Sequence, residues 1–128
     1  SYKMIDKLSG VILWTEDLKK MSEFYTNVLN LKPNSVKSNY MVFSWVNGNE
    51  TFKFSIGYHP KVSGKSNDSY RIMINFNVDN IYEEIEHLKK YAVQIIREPE
   101  KEKWGGIVAS FLDPDRNIIQ LLQHPEIR

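Results

Sequence analysis

The sequence predicts an α+β fold of two tandem β-α-β-β-β modules, and three observations predict it. Apolar positions follow the order strand, helix, strand, strand, strand, and that order occurs twice. Sliding the chain by 63 residues lays one occurrence on the other, with Asp17 on Asn80, Leu18 on Ile81, Leu13 on Phe76 and Val11 on Ile74. Between them, residues 59–69 are polar and rich in backbone breakers, which marks a linker or surface loop. Each module is expected to be a curved sheet backed by one helix. Their sheets would join edge to edge into one curved mixed sheet, with helices outside and an open concave face. The expected organisation is one domain over residues 1–128, with modules at about 5–58 and 70–124.

The elements follow from local chemistry. Residues 8–15, Leu-Ser-Gly-Val-Ile-Leu-Trp-Thr, read as a short strand. Asp17 can cap a helix in which Leu18, Met21, Phe24, Tyr25, Val28 and Leu29 form one apolar stripe of about three turns. Asn30 and Pro33 mark its exit, because proline cannot continue a helix. A weaker strand over 32–37 precedes an alternating strand over 40–46; Asn47-Gly48 then signals a hairpin whose returning strand covers 51–58. In the second module, a strand over 71–78 sets Ile72, Ile74, Phe76 and Val78 on one face, with Arg71, Met73, Asn75 and Asn77 on the other. Asn80 with Glu83 resembles a capping box for a helix carrying Ile81, Ile85, Leu88 and Ala92. A strand over 93–97, a charged loop over 98–103 and a final hairpin over 107–123 complete the repeat.

Composition excludes several classes of function. The 17 basic and 16 acidic residues nearly cancel, so no broad field steers nucleic acid or an anionic membrane, and neither is an expected partner. The absence of cysteine removes disulfides, thiolate metal sites and a thiol nucleophile. No apolar run approaches the roughly 20 residues of a membrane span, and a cytoplasmic location is the expectation. Gly105-Gly106 lacks the spacing of a phosphate-binding loop.

The final hairpin carries the most specific signal. Phe111-Leu112-Asp113-Pro114-Asp115-Arg116-Asn117 is strong turn chemistry, followed by the apolar run Ile118 to Leu122. This stretch resembles the closing hairpin of the vicinal oxygen chelate superfamily, which includes glyoxalase I, bleomycin-resistance proteins and extradiol dioxygenases. Asp17-Leu18 with Phe24-Tyr25 and Leu29 resembles its first helix, Phe76-Asn77-Val78 its second entry strand, and Trp104-Gly105 also fits. In that pattern a Gly stands where this chain has Arg116, and a Glu ligand stands where it has Gln120.

The resemblance implies four metal-ligand positions on central strands, normally His or Glu. Seven residues before each helix cap lie Gly10 and Met73, and the C-terminal position is Gln120. The fourth falls within 51–58, which holds neither His nor Glu. Glycine offers no donor, thioether is soft, and a neutral amide substitutes poorly for carboxylate. No metal and no cofactor is therefore expected, and no catalytic residue is assigned. His87 falls among charged residues of the helix, His124 follows the last strand, and His59 borders the expected concave side, so His59 is the histidine closest to a functional position.

Strand parity nominates the ligand contacts. Trp14 shares a face with Gly10 and Ile12; Arg71, Met73, Asn75 and Asn77 share another; Gln120 lies with Ile118 and Leu122. The repeat adds Lys53, Ser55 and Gly57, leaving Phe52, Phe54 and Ile56 for the helix-facing core. Together with His59 and Trp104, these residues either form a hydrated sheet face or line a pocket with aromatic walls and a few polar groups. The resemblance implies a metal-independent module that binds a small organic molecule, aromatic or amphipathic like an antibiotic, in a homodimer. The alternatives are a lyase, isomerase or dioxygenase-like enzyme with an atypical metal site or with His59 or Lys53 as base, and a structural or regulatory partner protein. Fold alone does not choose among them.

Overall fold

The computed structural model describes residues 4–126. The chain divides into two compact units that meet between Ser63 and Gly64. In the first unit, strand β1 (Val11–Thr15) leads into helix α1 (Leu18–Glu23), which continues as one π-helical turn, Phe24–Val28. Strands β2 (Ser35–Lys37), β3 (Tyr40–Asn47) and β4 (Glu50–Tyr58) follow. The second unit contains β5 (Met73–Asn77), α2 (Ile81–Lys90), β6 (Ile95–Lys101), β7 (Ile107–Leu112) and β8 (Ile118–Gln123). The sheet orders are β1-β4-β3-β2 and β5-β8-β7-β6. In each sheet the first and last strands in sequence pair in parallel and the remaining pairs are antiparallel. The α+β class and the tandem β-α-β-β-β order are those the sequence predicts. No helix of the described residues is long and apolar enough to cross a membrane.

Matching caps start the two helices. Asp17 Oδ1 accepts the Lys20 amide N–H at 3.1 Å, and Asn80 Oδ1 accepts that of Glu83 at 3.3 Å. Left-handed residues follow both helices, Asn30 (φ 58°) and Ala92 (φ 56°). The α-helix after Asp17 is shorter than the stripe predicts. Ser22 Oγ donates to the Leu18 carbonyl and Thr26 Oγ1 to the Ser22 carbonyl, a pattern that bends helices, and the Leu29 N–H bonds the Phe24 carbonyl five residues back. The wider turn buries adjacent Phe24 and Tyr25 together.

Tyr25 contacts Phe54, which stacks on Phe43, and Met21, Met41 and Ile56 complete the buried face of the first sheet. Each such side chain contributes about 1.5–3 kcal/mol by leaving water. Phe52 does not join this core. It is 56% exposed, because β1 pairs with β4 only as far as Val11 opposite Phe54 and leaves Phe52 and its partner Trp45 at the uncovered end of the hairpin. The hairpin turn itself is Gly48-Asn49, one residue later than predicted, with Gly48 at φ 63°.

In the second unit Ile81, Ile85 and Leu88 pack beneath α2, and Gln123 Oε1 accepts the Ile81 amide N–H at 2.8 Å, which places the helix on the Phe76, Leu121 and Phe111 face. The charged segment predicted as a loop is mostly strand. Residues 98–101 belong to β6, an edge strand with two irregularities of register, where charges and Pro99 are tolerated because one side needs no partner. Lys89 on α2 bonds Glu98 on β6 at 2.9 Å, and Arg97 pairs with Glu100 and Glu102. The bond to Glu98 holds the Lys89 ammonium above its ordinary pKa, and the hydrogen bond to Glu100 does the same for Arg97, so both stay charged as surface struts.

The closing turn is organised by buried Asp113. Its Oδ1 accepts the N–H groups of Asp115 and Asn117, and its Oδ2 the side-chain amide of Asn117, each at 2.9 Å. Arg116 occupies the left-handed region at φ 64°, the conformation for which glycine is the preferred residue.

Candidate functional site

In the first unit, pairing register sorts the face opposite α1. One row across the strands is Lys37, Tyr40, Gly57, Trp14; the next holds Val42, Ser55, Ile12; and Ser44 pairs with Lys53 beyond it. Trp14 and Tyr40 lie over Gly57 with ring centroids 5.9 Å apart. A methyl group on Gly57 would come within 2.6 Å of Trp14 Cζ3 and 2.8 Å of Tyr40 Cδ2, so the bare backbone is what lets both rings lie down. Trp14 remains 40% exposed and Ser55 is 4% exposed, while Lys53 stands in solvent.

His59 packs its ring edge-on against Trp14 at 5.2 Å. Its Nδ1 accepts the Lys61 amide N–H at 3.1 Å, which in the neutral ring puts the proton on Nε2 and makes His59 a donor at that nitrogen rather than a base.

In the second unit, Met73, Asn75 and Asn77 share the face opposite α2 with Ile118, Gln120 and Leu122. Gln120 Nε2 donates to Asn75 Oδ1 at 3.0 Å. His124 Nε2 lies 3.0 Å from Asn77 Oδ1, and its ring is 5.6 Å from that of Trp104, whose indole covers Gly106. A groove of about 380 Å³ at the entry to α2 is lined by Asn77, Val78, Asp79, Gln123, His124 and Glu126.

Arg71 does not share that face. The strand begins at Met73, not 71, and Arg71 sits in a turn where its guanidinium binds Asp68 at 2.7 Å, exposed to water, with Ile72 also exposed. A local partner three residues away outcompetes a place on the sheet.

The sequence sets His124 after the last strand without linking it to His59, because the repeat offset grows. Helix starts are related by 63 residues, but Ile12 pairs with Ser55 where Asn75 pairs with Gln120, an offset of 65 on β4 and β8. At that offset His59 corresponds to His124, and each touches the last same-face residue of the first strand, Trp14 or Asn77. The same comparison makes Ser55 the counterpart of Gln120, so within 51–58 it is Ser55 that stands at the fourth position the resemblance implies.

The donors at those four positions do not fit a hard divalent ion. A side chain at Gly10 would begin 2.9 Å from the Lys53 carbonyl oxygen and 3.0 Å from Lys53 Cβ. Ser55 offers a hydroxyl, Met73 a thioether, and Gln120 an amide whose nitrogen is engaged by Asn75. Among the described residues no group of three or more His, Cys, Asp or Glu side chains is placed to hold a metal ion.

The repeated β-α-β-β-β architecture, with parallel outer pairing and the Asp113 hairpin, defines the vicinal oxygen chelate class of fold. The family model described as Glyoxalase/Bleomycin resistance protein/Dioxygenase superfamily matches residues 7–121, and the chain belongs to that superfamily. It is 26% identical over 122 residues to "Uncharacterized protein YetH" of Bacillus subtilis (strain 168), covering 92% of this chain and 98% of the relative. It is 27% identical over 124 residues to "Uncharacterized protein YraH" of the same organism, covering 90% and 96%. Among solved structures, a glyoxalase/bleomycin resistance protein/dioxygenase from Nocardioides superposes with a TM-score of 0.73 at 15% identity, over 98% of this chain and 87% of that one. A superfamily member from Sphaerobacter thermophilus gives 0.67 at 21%, over 95% and 100%, a likeness of fold.

Proposed function

We infer that this protein is a metal-independent binding module for a small organic molecule with a planar or amphipathic body. The observation that carries this reading is the ring wall over Gly57. Trp14 and Tyr40 lie on a glycine, His59 closes one edge, and Trp14 keeps two-fifths of its surface available for stacking. Within the second unit, the amides of Asn75, Asn77 and Gln120 lie on a face of their own with His124 and Trp104, hydrogen-bonding groups beside a ring. The four ligand positions of the superfamily carry no imidazole or carboxylate, which favours binding without a resident ion. His59 as a donor at Nε2 suits recognition better than proton abstraction. A homodimer in the cytoplasm is part of this reading.

Thermal unfolding of chelator-treated protein with magnesium, manganese, iron, nickel and zinc, beside a panel of aromatic small molecules, tests it. A ligand of the native state raises the midpoint by mass action. Shifts with aromatic compounds and none with the metals are expected; a stoichiometric ion in the purified protein would overturn the metal-independent reading. Sedimentation equilibrium tests the dimer.

A further inference from the structure

The geometry points to an organic anion as the ligand: a planar apolar body carrying a carboxylate or similar group, held on the first sheet by Lys37 and Lys53. This rests on the binding reading above and adds the sign of the ligand's charge. The chain as a whole is nearly neutral, yet register distributes its charges unevenly. The face opposite α1 carries Gly10, Ile12 and Trp14 from β1 and its approach, Ser35 and Lys37 from β2, Tyr40, Val42, Ser44 and Val46 from β3, and Thr51, Lys53, Ser55 and Gly57 from β4. It contains two lysines and no carboxylate. Glu50, the acidic residue of β4, has the opposite parity.

Both lysines are exposed, and neither has a carboxylate at ion-pair distance among the described residues, whereas Lys89, Arg71 and Arg97 all do. Lys37 adjoins Tyr40 in the row that continues to Gly57 and Trp14, so it stands one strand spacing, about 4.8 Å, from the ring wall. Lys53 lies four residues along β4 from Gly57, roughly 13 Å. A planar body stacked on Trp14 and Tyr40 would place an acidic group near Lys37, and a longer ligand lying over Ile12, Ser55 and Val42 would reach Lys53. Flexible ammonium stems adapt to either. The amide face of the second unit is not similarly biased: Arg97 and Glu100, its charged members on β6, neutralise one another.

Three probes of one shape separate charge from stacking: 2-naphthoate, 2-naphthamide and 2-naphthylmethylammonium, titrated into the full chain by tryptophan fluorescence. Naphthoate is expected to bind about three- to fivefold tighter than the neutral amide, the ammonium more weakly than either, and the preference should shrink with added salt. In Lys37→Gln/Lys53→Gln, whose altered side chains stand in solvent, naphthoate should fall to the affinity of naphthamide while naphthamide itself is unchanged. Equal binding of all three probes, or a preference that survives the double substitution, would overturn the anion assignment and leave the binding reading intact. No saturable binding of any probe would overturn both.

Discussion

Replacing Gly57 with alanine tests the ring wall with the smallest possible perturbation. The added methyl would stand 2.6 Å from Trp14 Cζ3 and 2.8 Å from Tyr40 Cδ2, against an optimum of about 3.5–4.0 Å between carbon atoms, so both rings must move by about 1 Å. Trp14 is half-exposed and can swing outward, which keeps the overpacking cost to about 1–2 kcal/mol, or about 4–8 °C in Tm for a chain of this length. A ligand stacked on the wall loses more specifically. Displacing two rings that each supply about 0.5–1.5 kcal/mol should weaken naphthoate binding about 5- to 150-fold. Tryptophan fluorescence titration at a temperature well below the variant's Tm separates the two effects. Gly57→Ala binding naphthoate with unchanged affinity would refute the placement of the ligand on Trp14 and Tyr40, whatever its stability.

Other outcomes follow from the same geometry. Asp113→Ala should cost about 3 kcal/mol in chemical denaturation, because three hydrogen bonds to a buried carboxylate disappear and the donors they served lose their acceptor. Arg116→Gly should stabilise by about 0.5–1 kcal/mol, since relief of the left-handed backbone exceeds the added freedom of the unfolded chain. Asp17→Ala and Asn80→Ala should each cost about 1 kcal/mol by removing a helix cap. Gln120→Leu should lower Tm by less than about 3 °C, its hydrogen bond to Asn75 being exposed, yet alter affinity for any ligand that uses the Asn75 amide.

Most of the fold was legible because local chemistry and tertiary structure agree. Asp17 and Asn80 are strong caps and do cap; Asp113 to Asn117 is strong turn chemistry and does turn. The exceptions have physical causes. Residues 98–101 read as loop because charge and proline usually break strands, but an edge strand needs hydrogen bonds on one side only. The π-helical turn after Glu23 was invisible to a stripe counted at regular spacing, and the hydroxyls of Ser22 and Thr26 were its available signal.

For the site, parity placed Trp14, Asn75, Asn77 and Gln120 on the faces opposite the helices, but parity cannot report partners. Arg71 was nominated by parity and lost to Asp68, three residues away. Lys37 was missed because β2 is only three residues long and its register with Tyr40 appears only in the folded sheet. The correspondence of His124 with His59 is hidden in the sequence by two extra residues between the helix start and the last strand.

Calorimetric titration of 2-naphthoate into chelator-treated protein, repeated with excess nickel, tests metal-independent binding most directly. The account predicts saturable binding with the same Kd in both conditions. Binding that appears only with the metal would contradict it, and would mean that these residues recruit an ion their chemistry does not favour.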